Sequence, residues 1–145
     1  MKTLLVIPLV LISLMSFPCL GADFEKGLFA YDTGDFATAL REWTPLAEQG
    51  NPDAQFKLGV MYRKGDGVPQ DDKTAVKWYT LAAEQGYAPA QSNLGVMYDK
   101  GDGILQDDKI AMEWYTLAAE QGHTNAQFNL AISYANGEVV RKDNV

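Results

Sequence analysis

The side chains best suited to chemistry are aspartates that recur around two glycine-rich loops, at Asp66, Asp71 and Asp72 and again at Asp102, Asp107 and Asp108. A calcium loop of the EF-hand type needs a D-x-D-x-D-G run and a closing glutamate, and neither loop has them. The Gly-x-Gly pair also lacks the Gly-Lys-Ser/Thr of a phosphate-binding loop. The spacing instead predicts glycines that fix a turn, followed by an aspartate that caps the next helix. We therefore expect no metal site here.

Histidine and cysteine, the other residues that would support catalysis or metal binding, occur once each, at His123 and Cys19. A catalytic histidine needs a nucleophile and an orienting acid, and no serine or cysteine motif of that kind is visible. We interpret His123 as a variable surface position at the start of a repeat. A single cysteine excludes a disulfide framework and a cysteine-rich zinc site. The sequence thus predicts no catalytic residue and no cofactor.

Length and charge narrow the class of protein further. The chain has 145 residues, is 47% hydrophobic, and carries net charge −7 from 12 basic and 19 acidic side chains. Because an acidic surface repels phosphate, we expect no nucleic-acid partner. The apolar fraction is large enough for a packed core. These numbers leave a small acidic globular or repeat protein.

The first 22 residues have the pattern of a secretory signal peptide. Lys2 precedes an uncharged apolar run over residues 4–17, and small residues end at Ala22, just before the acidic chain begins at Asp23. A bilayer span needs about 20 apolar residues, so the run is short for a permanent anchor. We predict cleavage between Ala22 and Asp23, and a periplasmic or secreted protein of the bacterial cell envelope with no membrane span.

Cleavage one residue earlier, after Gly21, is a close alternative. Two alternatives to cleavage at this place also remain open. The first is that the leader is not cleaved and its apolar run anchors the protein in the membrane. Lipidation of Cys19 is the other, although bacterial lipoprotein signals have small residues before that cysteine and this chain has Phe17 and Pro18. With cleavage after Ala22 the remaining protein has no cysteine, and its stability must come from packing.

An internal repeat organises the rest of the chain. Residues 51–86 align without gaps on residues 87–122, and more than two thirds of the aligned positions are identical. A third copy begins at residue 123, and a divergent unit upstream ends in the same Ala-Glu-Gln-Gly sequence. We therefore divide the chain into a leader (1–22), a capping hairpin (23–50), two full repeats (51–86 and 87–122) and a partial repeat with a polar tail (123–145).

Each full repeat predicts two helices. The first has apolar residues along one face, at Ala54, Leu58, Met61 and Tyr62. Asn51 is placed to cap its N-terminus, and Gly65 to end it in a left-handed conformation. The second has Ala75, Trp78, Tyr79, Ala82 and Ala83 along one face, after a capping aspartate at position 71 or 72. We expect the rings of Trp78 and Tyr62 to fill the space between the two helices.

The first unit predicts a tighter hairpin that caps the array. Gly34 and Asp35 replace the long loop of the other units, and Asp35 is placed to cap the following helix. Pro45 within that helix removes a hydrogen bond, so we expect a kink or a loosened turn. Because one helix pair cannot bury both of its faces, neighbouring pairs must stack into a solenoid.

The repeat pattern resembles the Sel-one-like repeat, a relative of the tetratricopeptide repeat. The matching residues of the first full repeat are Ala54, Leu58, Gly59, Tyr62, Gly65, Gly67, Val68, Asp71, Ala75, Trp78, Tyr79, Ala82, Ala83 and Gly86. Those of the second are Ala90, Leu94, Gly95, Tyr98, Gly101, Gly103, Asp107, Ala111, Trp114, Tyr115, Ala118, Ala119 and Gly122. The third copy departs from the pattern, with Ala131 for the first glycine and Val139 for a loop glycine. The resemblance implies an all-α fold, a right-handed α-solenoid of antiparallel helix pairs.

In relatives, the first helix of each repeat lines a concave surface that binds peptides or protein segments. The resemblance therefore implies a partner-binding groove with an apolar floor and mixed charge, formed by Phe56, Val60, Arg63, Lys64, Ser92, Val96, Asp99, Lys100, Phe128 and Ile132. The alternative is that Phe56 and Val60 pack between adjacent repeats, because a solenoid helix contacts neighbours on two sides.

The C-terminal end of the array is open in the sequence, since residues 138–145 are too few and too polar for a covering helix. An uncovered apolar face is a docking site or an aggregation liability, so truncation of the array and self-association through this end are alternatives.

The sequence favours an exported protein–protein interaction module, an adaptor or scaffold that binds a protein or peptide partner on its concave helical face. It is predicted not to be an enzyme. The alternative is a secreted hydrolase related to cysteine-rich β-lactam-binding repeat proteins, whose paired cysteines this chain lacks. A third interpretation is a chaperone-like or immunity-type scaffold of an envelope complex.

Overall fold

A computed structural model describes residues 21–137. Within that range the chain forms seven α-helices and no β-strand. The predicted leader up to residue 20 and the tail after residue 137, which includes Val139, lie outside the described residues. The helices are α1 (Phe24–Asp32), α2 (Phe36–Glu48), α3 (Pro52–Lys64), α4 (Asp72–Glu84), α5 (Ala88–Lys100), α6 (Asp108–Glu120) and α7 (Thr124–Ala135).

Each helix packs on the next one along the chain, so the helices form antiparallel pairs that stack into an all-α solenoid. The odd-numbered helices form one layer and the even-numbered helices form the other. Short Ala-Glu-Gln-Gly connections join one pair to the next, and Gly-Asp-Gly loops join the two helices of a full repeat.

The predicted helix ends are confirmed. The Asn51 side chain accepts from the backbone N–H of Ala54, and Asp71 accepts from the N–H groups of Lys73 and Thr74. Gly65 ends α3 with φ 78°, a conformation that only glycine adopts without strain. Helix α2 continues through Pro45 to Glu48, because the proline lies in the last turn and removes only one donor.

Two apolar clusters form the core. One joins α1 and α2 to α3, and the other joins α4 to α5. The largest fully buried side chains are Trp43, Tyr79, Tyr115, Leu58, Met61, Leu94 and Met97.

The sequence predicted that Trp78 and Tyr62 fill the space between the helices of a repeat. Tyr62 packs against the cluster of α4 and α5, and Trp78 packs against the cluster that includes α3. Both rings are only half-buried, whereas Tyr79 is 1% exposed. The ring of Tyr79 lies directly against the backbone of Gly59, where an added Cβ would stand 2.5 Å from it. The absence of a side chain at Gly59 gives this ring its place between α3 and α4.

Candidate binding surface

The surface formed by α3, α5 and α7 carries the residues predicted to line a groove, and the structure divides them into buried and accessible sets. Phe56, Val60, Arg63, Val96 and Asp99 are half-buried, and Ser92 is buried. Lys64, Lys100, Phe128 and Ile132 are exposed.

Phe56 packs between neighbouring repeats. Its ring lies 5.8 Å from that of Tyr79 and 5.5 Å from that of Tyr87, between centroids. Val60 packs against the same cluster. Ser92 occupies the equivalent position of the next repeat and is 3% exposed, which leaves its hydroxyl out of reach of a partner. Packing within the array, which includes the alternative considered for Phe56 and Val60, thus covers most of their surface.

Phe128 occupies the same register position in α7 and is 66% exposed. Ile132 and Tyr134 on the same helix are 42% and 54% exposed. The helix contains no charged residue, so within the described part of the chain α7 presents the largest run of accessible apolar side chains on the odd-numbered layer.

A row of tyrosine hydroxyls and asparagine amides connects the repeats along this surface. Burial raises the pKa of Tyr79, while hydrogen bonds from Asn93 and Arg63 to its phenol oppose that rise. The equivalent residues one repeat later, Tyr115 and Asn129, line a common cleft. Sequence reasoning did not select Asn93 or Asn129, although both recur at one position of successive repeats and would have been found by aligning the polar positions.

The N-terminal end of the surface is aromatic and basic. The Tyr31 hydroxyl donates a 2.6 Å hydrogen bond to Asp66 and accepts one of 3.3 Å from the Lys64 ammonium. Lys64 also lies 5.8 Å from the centroid of the Tyr31 ring, and Lys57 lies 5.9 Å from that of Trp43. Burial, followed by the hydrogen bond to Asp66, raises the pKa of Tyr31. Two ammonium groups therefore lie close to aromatic rings at this end, that of Lys57 near the buried Trp43 and that of Lys64 near the partly buried Tyr31.

The loop aspartates have structural partners. Asp71 caps α4 and also accepts a 2.6 Å hydrogen bond from the Thr74 hydroxyl, which lowers the pKa of the Asp71 carboxyl. Asp107 caps α6 through the N–H of Ile110. No group of three or more metal-ligating side chains was found in residues 21–137.

His123 is the N-cap residue of α7, and its Nδ1 accepts from the N–H of Ala126 at 3.4 Å. The sequence analysis treated His123 as a variable surface position and did not predict this cap. Comparison with Asn51, which caps α3 from the same position of the repeat, would have predicted it. In between, Tyr87 makes no cap. Burial and a hydrogen bond to Asp53 raise the pKa of Tyr87 to about 12.

The model of the Sel1 repeat matches three segments of the chain, residues 52–87, 88–123 and 124–145. The chain belongs to the Sel1 repeat family. The family segments start one residue after the repeat boundaries that we drew. This membership confirms the resemblance on which the fold prediction rested.

Solved structures support the same assignment. A Sel1 repeat protein from Oxalobacter formigenes superposes with TM-score 0.76 at 37% identity, over 79% of this chain and 47% of that protein. The protective antigen c5321 of uropathogenic Escherichia coli strains, which has the same fold, gives TM-score 0.75 at 40% identity, over 79% of this chain and 25% of that protein. The chain thus spans about half of the first protein and a quarter of the second. No curated protein matched the chain.

Sel1 repeats generally mediate protein–protein interactions, and proteins built from them are typically not enzymes. Bacterial members are often exported. Among residues 21–137, no helix is long and apolar enough to cross a bilayer.

Proposed function

We propose that this Sel1 repeat protein is an exported adaptor that binds a protein or peptide segment along α3, α5 and α7, without covalent chemistry. The observation that carries the proposal is the repeat register itself, which places the exposed Lys64, Lys100 and Phe128 on successive helices of one layer. Such a surface offers apolar contact and charge to an extended or helical segment.

A binding experiment tests this surface with variants that leave the core intact. Val96 is half-buried and Phe128 is 66% exposed, and neither belongs to the fully buried core, so Val96→Asp with Phe128→Asp removes accessible apolar contact area. Leu105 is 87% exposed in the loop before α6, and Leu105→Asp is the matched control. Circular dichroism establishes that each variant is folded.

The parent protein and the Leu105→Asp control are expected to retain and cross-link the same envelope protein, and the double variant is expected to lose it. Cross-links that map to the outer helices α2, α4 and α6 would contradict the proposed surface. Retention of a second copy of this chain in place of another protein would support self-association through α7.

Export is proposed on the leader pattern together with the contacts of Asp23. The backbone nitrogen of Asp23 donates a 3.1 Å hydrogen bond to the carboxylate of Glu42, whose side chain is 4% exposed. Cleavage after Ala22 would turn that nitrogen into an α-ammonium group, which pairs with a carboxylate more strongly than an amide does.

Mass spectrometry of the protein recovered from the periplasm tests this step. We expect a chain that begins at Asp23. A mass that corresponds to acylated Cys19, or to the intact leader, would contradict it. The Glu42→Gln variant should destabilise the processed chain more than a chain that carries extra residues before Asp23, since only the processed chain has an ammonium group at that site.

A further inference from the structure

A cleft of about 140 Å³ opens between α5, α6 and α7, at the C-terminal end of the proposed binding surface. Its walls are Asp99, Tyr115, Asn129, Ile132, Ser133 and Asn136. They provide one carboxylate, a phenol, two amides, a hydroxyl and one branched apolar side chain. None of these six residues carries a positive charge.

The same place one repeat earlier has the opposite charge. Asp99 corresponds to Arg63, and Asn136 corresponds to Lys100, while the tyrosine and the asparagine are kept as Tyr79 and Asn93. Arg63 lies close enough to hydrogen-bond the phenol of Tyr79. The repeat thus holds a fixed tyrosine–asparagine frame and changes the charge beside it from basic to acidic.

We propose that this cleft binds a positively charged side chain, lysine or arginine, of the partner segment. The inference rests on the proposed binding function and names one side chain that the partner presents. The Asp99 carboxylate would accept from the cation, and the amide oxygens of Asn129 and Asn136 would accept its remaining protons. Ile132, which is 42% exposed, would cover the methylene groups of the same side chain.

The size of the cleft agrees with such a ligand. A water-sized group needs about 10–15 Å³ of such space, so about 140 Å³ is ample for the atoms of a lysine or arginine side chain. Asp99, Tyr115 and Asn136 already interact with neighbours. An ionised carboxylate has about four acceptor positions, so an existing hydrogen bond leaves room for a cation.

Charge favours a cation at this end of the surface and disfavours it at the other. The net charge of the chain is −7, whereas Lys57 and Lys64 stand over aromatic rings at the N-terminal end. The carboxylate of the cleft therefore favours a cationic side chain more than the lysines over those rings do, which would fix the direction in which a segment lies.

Nuclear magnetic resonance titration of the ¹⁵N-labelled protein, expressed with its own leader, tests the cleft without knowledge of the partner. The probes are the N-acetyl, N-methylamide derivatives of lysine, arginine, norleucine and glutamate. The lysine and arginine probes should shift the side-chain amide signals of Asn129 and Asn136 with millimolar affinity, and the neutral norleucine probe should not.

Asp99→Asn should weaken binding of the lysine probe about tenfold, the loss expected when one charged hydrogen-bond partner is removed. Glu113→Gln is the matched control, because it removes the same charge from an exposed position on α6 and should leave the affinity unchanged. Equal shifts with norleucine, equal affinity in Asp99→Asn, or shifts confined to other parts of the chain would each overturn the proposal.

The titration also separates this inference from the function on which it rests. Binding of lysine at the cleft, together with capture of a partner that survives Val96→Asp with Phe128→Asp, would retain the cation site and reject the binding surface. Capture that is lost in the double variant but unaffected by Asp99→Asn would retain the binding surface and reject the cation site.

Discussion

At the scale of single residues, the residue just before the buried ring of α2, α4 and α6 is polar in the first unit and aromatic in the two full repeats. Trp78 and Trp114 occupy this position in α4 and α6, and both are half-buried. In α2 the same position is Glu42, which is 3% exposed and accepts from the N–H of Asp23. Its carboxylate also lies 2.6 Å from the Lys26 ammonium. A polar residue is tolerated there because every one of its partners comes from the first unit.

The rings of Tyr79 and Trp78 should differ in their contribution to stability. Tyr79→Ala removes a ring that is 1% exposed and leaves a cavity, so we expect the free energy of unfolding to fall by about 3–5 kcal/mol. Trp78→Ala should cost less, because that ring is only partly buried. Urea denaturation of the two variants checks the order. A larger loss for Trp78→Ala would show that the buried ring is wrongly assigned.

Glu42 should make stability depend on pH below neutrality. The hydrogen bond from Lys26, followed by that from Asp23, lowers the pKa of this carboxyl below its ordinary value of 4.5. A group with a lowered folded pKa contributes stability fully above its unfolded pKa, and loses it as the pH falls through the folded pKa. The difference in unfolding free energy between the parent and Glu42→Gln should thus be largest near pH 7 and shrink below pH 4.5. A difference that stays constant down to pH 2 would contradict this role.

At the scale of helices, a glycine in each of α1, α3 and α5 sets the distance to the helix that follows it. Gly27, Gly59 and Gly95 face Trp43, Tyr79 and Tyr115, and an added Cβ would collide with each ring. In α7 the equivalent residue is Ala131, which is exposed. The glycine is therefore kept where an outer helix has to approach closely.

Gly95→Ala should destabilise the second full repeat. Its Cβ would lie 2.6 Å from the Tyr115 ring and 3.1 Å from the Ala111 carbonyl oxygen, which is backbone and cannot move aside cheaply. We expect a loss of about 1–3 kcal/mol, as for other overpacked sites, measured by thermal unfolding. Ala131→Gly is the comparison, and it should cost only the helix propensity of about 1 kcal/mol. An equal loss at both positions would exclude steric crowding as the cause.

At the scale of the whole molecule, buried amide groups connect one repeat to the next. The Gln55 side chain donates to the Ala47 carbonyl at 3.0 Å and accepts from Gln85 at 2.8 Å. One repeat later, Gln91 donates to Ala83 and accepts from Gln121 in the same way. Stability of such an array is approximately the sum of each repeat and its contacts with neighbours. These bonds are therefore part of the coupling that holds consecutive repeats in one cooperative unit.

Gln55→Ala should weaken that coupling. The Ala47 carbonyl would lose its partner at a buried site, so we expect a loss of about 1–3 kcal/mol and a broader unfolding transition. Gln127→Ala is the internal control, since Gln127 makes the equivalent bond to Ala119 at an exposed position. Chemical denaturation followed by hydrogen exchange measures both effects. A larger loss at Gln127 than at Gln55 would contradict the proposed coupling.

The sequence by itself determined the all-α repeat, the positions of its helices and most of its caps. These features depend on local chemistry that repeats with the period, such as Asn51 before α3, Asp71 before α4 and Gly65 after α3. It also determined the family, because the glycine, alanine and aromatic positions of the two full repeats are nearly identical.

Only the tertiary structure decided which side of each helix is buried and which groups meet on the proposed binding surface. Trp78 and Tyr79 are adjacent aromatic residues, and the backbone of Gly59 on another helix determines which ring is enclosed. Phe56 and Phe128 hold the same register position, yet Phe56 packs against Tyr87 whereas Phe128 is 66% exposed. The cleft around Asp99 combines side chains of three helices. Which side chains line it depends on how those helices pack, and the sequence alone does not specify that packing.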